Sequence, residues 1–239
     1  MNKVFAIIPA RSGSKGVKDK NIKSLHGHSL LEWSINAAKR SQLIDRVFIS
    51  TDSFEYAQIG KEHGAEVPFL RPDSISGDTS SDLDFTIHAI EEFHKMGLEP
   101  DYLVHLRPTT PIRDPDIIDA AISLFQNNKQ FNSLRSVHKM AESSYKTLEI
   151  QDGYLTPLAL FGETETDSNA PRQSFPDTYQ ANGYVDVLDT KFIMEYQEIH
   201  GKKILPFITD TAYEVDSIED FDYLEFLALN SQKIITKLF

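Results

Sequence analysis

One feature narrows the possible folds more than any other: short apolar runs of strand length alternate along the chain with longer stretches of helical periodicity. The first run, from Val4 to Pro9, carries no polar residue, as a strand buried on both faces requires. Further strands are expected at residues 47–51, 67–70 and 102–106. Helical patterns occupy residues 30–40, 55–63, 82–96 and 115–127, with Gly64 and Gly97 just beyond two of them and Pro115 opening the last. Strand and helix in strict alternation imply parallel strands joined by crossover helices. The expected fold is therefore α/β, a mainly parallel, doubly wound (Rossmann-like) sheet flanked by helices. Ligands of such sheets bind beyond the carboxyl ends of the strands, so the loops after Pro9, Thr51, Leu70 and Leu106 are expected to carry the chemistry.

The rhythm breaks near residue 138. Residues 139–183 hold strand-like pieces at 146–150 and 154–157 and a polar stretch at 162–181, and read as an insert on a single domain spanning 1–239. Strand character returns at 184–189, 204–208 and 212–215, and residues 218–239 read as one terminal helix. The chain has no cysteine, which removes disulfides, thiolate metal sites and cysteine nucleophiles. No apolar stretch approaches bilayer length, and the run at Val4 is too short for a signal peptide, so a cytoplasmic enzyme without membrane association is expected.

Net charge is −12, which disfavours a nucleic-acid partner. Its distribution says more. Residues 1–25 carry six cations against Asp19 alone, a net of +5, leaving −17 for the remainder. A solvated lysine-rich loop and a site for a small anion both fit that pattern. The string that holds the charge is Pro9-Ala10-Arg11-Ser12-Gly13-Ser14-Lys15-Gly16-Val17-Lys18-Asp19-Lys20-Asn21. Its glycines let backbone N–H groups approach phosphate oxygens, and its cations neutralise them. It matches neither the Walker nor the Gly-x-Gly-x-x-Gly pattern.

This string resembles the opening of the acylneuraminate cytidylyltransferases (CMP-sialic acid synthetases, including CMP-legionaminic acid synthetase-like members), and the likeness continues along the chain. Ile49-Ser50-Thr51-Asp52-Ser53 resembles the family's second strand. Arg71-Pro72 with Asp78-Thr79-Ser80-Ser81-Asp82 is similar to its cytidine-contacting segment. Leu106-Arg107-Pro108-Thr109-Thr110-Pro111-Ile112-Arg113 resembles Leu-Gln-Pro-Thr-Ser-Pro-Leu-Arg, Pro171-Arg172-Gln173 and Asn182-Gly183 resemble the sugar-binding part of the dimerisation region, and Glu214-Val215-Asp216 resembles a metal-binding Asp-x-Asp.

The resemblance implies a nucleotide-diphospho-sugar transferase-like fold and a homodimer whose insert, about 139–183, reaches over the neighbouring subunit's site. The implied reaction joins CTP to a sialic-acid-like nonulosonic acid, with release of pyrophosphate. It implies Arg11, Lys20 and Asp216 as catalytic residues. Ala10, Arg11, Ser14, Lys15, Gly16, Lys20, Asn21, Arg71 and Ser80 would bind nucleotide. Arg107, Thr109, Lys146, Arg172, Gln173, Tyr179 and Asn182 would bind sugar. Asp216 and Glu214 would bind Mg2+, with Mn2+ as a substitute. On a strand, residues two apart share a face, so both carboxylates can reach one cation. Arg107 stands where the family usually has Gln, and two readings remain open for it: a partner for the sugar's carboxylate, or a structural salt bridge. A Kdo-type cytidylyltransferase and a non-catalytic nucleotide-binding regulator are the alternatives.

Overall fold

The computed structural model describes residues 2–14, 16–158 and 169–239. Its centre is a six-stranded sheet built from β1 (Val4–Pro9), β4 (Arg46–Ser50), β5 (Tyr102–His105), β6 (Ser133–Lys139), β9 (Tyr179–Asp189) and β10 (Ile204–Ile208). Their spatial order is β10-β6-β9-β5-β1-β4. β1 pairs in parallel with β4 on one side and with β5 on the other, and β10 pairs in parallel with β6. β9 alone among these six is antiparallel to its neighbours, β5 and β6. The chain leaves β1 toward β4 and then crosses back to β5, so the carboxyl end of β1 is a topological switch point, where such sheets open a crevice.

Alternation along β1 divides the core. Val4, Ala6 and Ile8 face one layer, built from α1 (Leu30–Arg40), α2 (Phe54–Glu62), α4 (Pro115–Gln126), α6 (Ile218–Asn230) and α7 (Gln232–Leu238). Phe5 and Ile7 face the other, where Phe85, Ala89, Ile90 and Phe93 of α3 (Asp82–Lys95) and Ile193 of α5 (Thr190–Tyr196) pack. Helices on both faces make the sheet doubly wound. No helix among the described residues is long and apolar enough to cross a membrane.

Four expectations change. Residues 67–70 form no strand. Pro68 lacks an N–H, and the one parallel bridge nearby, Glu66 to Phe48, falls just before the segment. Residues 212–215 are irregular, because Val215 N–H bonds the Thr109 carbonyl at 2.8 Å and no ladder forms. The terminal helix is two helices, broken at Ser231, whose hydroxyl donates back to the Leu227 carbonyl at 2.8 Å. The strand expected at 184–189 starts earlier, at Tyr179, so Asn182 and Gly183 lie within the main sheet.

Two small antiparallel pairs stand apart. β2 (Ser24–Leu25) and β3 (His28–Ser29) lead into α1, and β7 (Leu148–Gln151) and β8 (Tyr154–Pro157) form a hairpin between β6 and β9. That hairpin leaves Ile150 79% and Tyr154 75% exposed.

Candidate active site

The 10–21 loop leaves β1 at the carboxyl edge of the sheet and is fastened at both ends. Ala10 is buried and its N–H donates to the Ser50 carbonyl at 3.0 Å. Ser12 gives its N–H and hydroxyl to the Asp52 carboxylate at 2.7 and 2.5 Å. Buried Asn21 donates its amide to the Arg11 carbonyl at 3.0 Å. Held this way, Arg11, Ser14, Gly16, Lys20 and Asn21 line one side of a cleft of ≈520 Å³. Lys15 lies outside the described residues.

Glu214 and Asp216 line the opposite side. Asp216 immediately precedes the capping box of α6, in which Ser217 and Asp220 satisfy each other's backbone, and its own N–H donates to Asp220 at 3.0 Å. Lys20 Nζ crosses the gap to the Val215 carbonyl at 2.6 Å and to Asp216 Oδ1 at 3.1 Å. Gly16 presses so closely on this segment that an added Cβ would sit 2.4 Å from the Asp216 carbonyl oxygen. The strand geometry expected for the two acids is thus replaced by an irregular turn, yet both carboxylates line the cleft. Glu214 accepts the Thr109 hydroxyl at 2.6 Å. Asp216 remains largely open, with 77% of its side chain exposed.

The floor comes from the other strand ends. Arg71 is buried, and its Nε and Nη2 donate to the Ser50 hydroxyl and carbonyl at 3.1 and 2.8 Å. Its guanidinium lies 4.7 Å from the centre of the Phe85 ring. Burial pushes its pKa down to about 10, assisted by Arg11 and opposed by Asp52 and Asp82. Ser80, Arg107 and Thr109 complete the floor. Arg107 Nη1 donates to Asp186 at 2.9 Å and Nη2 to Asp82 at 2.6 Å. Beneath them, fully buried Arg113 spends its donors on the carbonyls of Tyr184, Arg107 and Gly183 and on the Ser34 hydroxyl. Burial lowers its pKa to about 9.

The structure therefore brings together Arg11, Ser14, Gly16, Lys20, Asn21, Arg71, Ser80, Arg107, Thr109, Glu214 and Asp216. Lys146, Arg172, Gln173 and Tyr179 do not line this cleft. Lys146 lies over the Phe175 ring, and Arg172 and Tyr179 are exposed on the segment around the hairpin. Asn182 is buried against Thr209 at 2.8 Å. Sequence reasoning placed Asp78 and Asp82 in the segment resembling a cytidine contact without giving either a role, and it missed Phe85; the structure pairs Asp78 with Arg11 at 3.0 Å and sets Asp82 and Phe85 in the cleft wall. Sequence reasoning also missed Asp186 behind them. The available signal was a lone acid inside the apolar run Tyr184-Val185-Asp186-Val187-Leu188.

A cationic glycine loop at the switch point of a parallel sheet, facing carboxylates across a polar cleft, defines a nucleotide-transferring α/β enzyme. The comparisons agree. The model of the family described as Cytidylyltransferase matches residues 5–232, and the chain belongs to that family, whose members are nucleotidyltransferases. It is 32% identical to Post-translational flagellin modification protein B of Campylobacter coli over 95% of each chain. It is 27% identical to CMP-N,N'-diacetyllegionaminic acid synthase of Legionella pneumophila over 98% of this chain and 100% of that one. Its fold superposes on CMP:2-keto-3-deoxy-manno-octonic acid synthetase complexed with CTP with a TM-score of 0.72 at 14% identity, covering 95% of this chain and 99% of that one.

Proposed function

We propose that the protein converts CTP and a sialic-acid-like nonulosonic acid to the CMP-sugar and pyrophosphate. The observation that carries this reading is the shared cleft of the 10–21 loop and Asp216, closed down to contact at Gly16. The sugar's anomeric C2 hydroxyl oxygen attacks the α-phosphorus and loses its proton to solvent, while the bond from the α-phosphorus to the bridging oxygen breaks and pyrophosphate departs. Arg11 and Lys20 bind the triphosphate and neutralise the charge that builds on the leaving group. Arg71 and Ser80 bound the cytosine end, and Thr109 and Arg107 bound the sugar end.

Of the four carboxylates that line the cleft among the described residues, the neighbouring Glu214 and Asp216 fit Mg2+, which is commonly held by one or two acids together with substrate phosphates. Among the described residues no group of three or more His, Cys, Asp or Glu forms a closed cage. Asp216 and Glu214 would hold the ion, which when bound supplies charge neutralisation at phosphate oxygens. In the same reading two copies associate through the exposed hairpin, so that Lys146, Arg172, Gln173 and Tyr179 serve the neighbouring cleft.

The test is pyrophosphate release from CTP, Mg2+ and a panel of nonulosonic acids that includes neuraminic and legionaminic acids. Turnover with an acylated nonulosonic acid, lost in Asp216→Ala, is the expected result. Preference for the eight-carbon 2-keto-3-deoxy-manno-octonic acid, run beside the nine-carbon panel, would favour the Kdo-type reading, and CTP binding without any turnover would favour a regulator.

A further inference from the structure

Asp186 is 1% exposed, in the middle of β9. Across the sheet it faces His105 of β5 and Arg135 of β6 in register. Neither neighbour makes a hydrogen bond to it. Arg135 Nε stands 4.0 Å from Asp186 Oδ1, which has no hydrogen-bond partner, and both ring nitrogens of buried His105 are likewise unpartnered. Arg107 therefore makes the one hydrogen bond that the Asp186 carboxylate receives among the described residues. Gly183 lies beside it in the left-handed region, at a φ of 63°, where an added Cβ would crowd Thr110 Oγ1 at 3.0 Å while only touching Arg107 Cδ at 3.6 Å. The other terminal nitrogen of Arg107 is taken by Asp82, at the first turn of α3.

One guanidinium is thus stretched between two carboxylates on two different elements, on the floor of the cleft. Arg135, 4.0 Å from Asp186, balances the charge behind this stretch of wall, and Asp82, with 44% of its side chain exposed, supplies the acceptors that line the cleft. A substrate carboxylate would find both terminal nitrogens of Arg107 already engaged, whereas a hydroxyl or acylamino N–H would find an acceptor. We propose that Asp186 is a positioning residue for sugar choice: it anchors Arg107 across the floor so that the Asp82–Arg107 pair presents acceptors to a neutral hydrogen-bond donor of the sugar. This rests on the sugar reading given above. Both charged partners are needed. Removing Arg107 alone would strand the buried Asp186 carboxylate, whereas removing both charges leaves the net charge unchanged and only the partly exposed Asp82 ionised.

The experiment compares Asp186→Asn and the double variant R107Q/D186N with the wild type, measuring KM for sugar and for CTP separately, along with kcat. Sugars that differ by one acylamino or hydroxyl group form the panel. For Asp186→Asn the expected result is a sugar KM raised ~10-fold with CTP KM held within ~2-fold, because only the anchoring of the sugar wall is disturbed. The double variant should fold and turn over, with the preference between paired sugars shifted ~5-fold or more. A sugar KM unchanged in Asp186→Asn, or both KM values rising together, overturns the positioning role. If Asp186→Asn fails to fold, the charge-balanced double variant decides: an unaltered sugar preference overturns the proposal and a shifted one supports it. A wild-type enzyme silent on every sugar overturns the functional reading itself, a different outcome from an active wild type with an indifferent Asp186.

Discussion

At the level of single residues, this cleft is built from charges that answer one another. Arg11 meets Asp78 and Lys20 meets Asp216, so these two cations of the loop each have an acid within 3.1 Å. These pairs are partly exposed and contribute little to stability, so an incoming polyphosphate can replace them at small cost. His105 behaves differently. It is fully buried, and desolvation followed by the charge of Arg107 lowers its pKa to about 3, against a partial lift from Asp82 and Asp186. Between about pH 3 and pH 6.5 the unfolded chain therefore holds a proton that the folded chain refuses, and acid pulls the equilibrium toward unfolding. From this group alone the wild type should lose up to ~1.4 kcal/mol of stability per pH unit below about pH 6.5. His105→Leu should flatten that slope. Urea unfolding at about pH 7 and about pH 5, at fixed protein concentration, measures the difference, and parallel slopes in the two proteins would refute the assignment.

At the level of elements, much of the site was legible before any coordinates. β1 reads from an unbroken apolar run, and the loop after it reads from glycines and cations crowded into an acidic chain. The direction of β9 was not legible, because hydrophobic periodicity gives the spacing of a strand and not its orientation. Residues 212–216 were misjudged for a related reason: Ala-Tyr-Glu-Val alternates like a strand but has no neighbour to pair with. The actual support for Asp216 is the helix start that follows it. Ser217→Ala removes the side chain that caps the Asp220 N–H at 3.1 Å, which should cost ~1 kcal/mol of stability. It should also loosen Asp216, and so raise the Mg2+ concentration needed for half-maximal turnover. Differential scanning calorimetry and a metal titration check both effects. A lower melting point with an unchanged metal requirement would show that the cap acts on folding alone.

At the level of the whole molecule, the hairpin of β7 and β8 is the least self-sufficient part of the structure. An isolated two-stranded hairpin is marginal in water. This one exposes Leu148, Ile150, Tyr154 and Leu155, and Leu158 follows it, also exposed. On the reading proposed above, a second copy covers that surface, and Arg172 and Tyr179 serve the neighbour's cleft. Ile150→Asp should therefore shift the protein from dimer to monomer in sedimentation, and turnover should fall with it. A wild type that sediments as a monomer at full activity would remove the shared site. Near-contact between Gly16 and Asp216 also has a bearing on biosynthesis. Lys20 and its acidic partner are separated by 196 positions, so a ribosome must add all of the intervening residues before the cation meets its counterpart. A polypeptide that stops before Glu214 would carry every strand of the main sheet without the two acids proposed to hold the metal, and on that proposal it should leave CTP unconsumed.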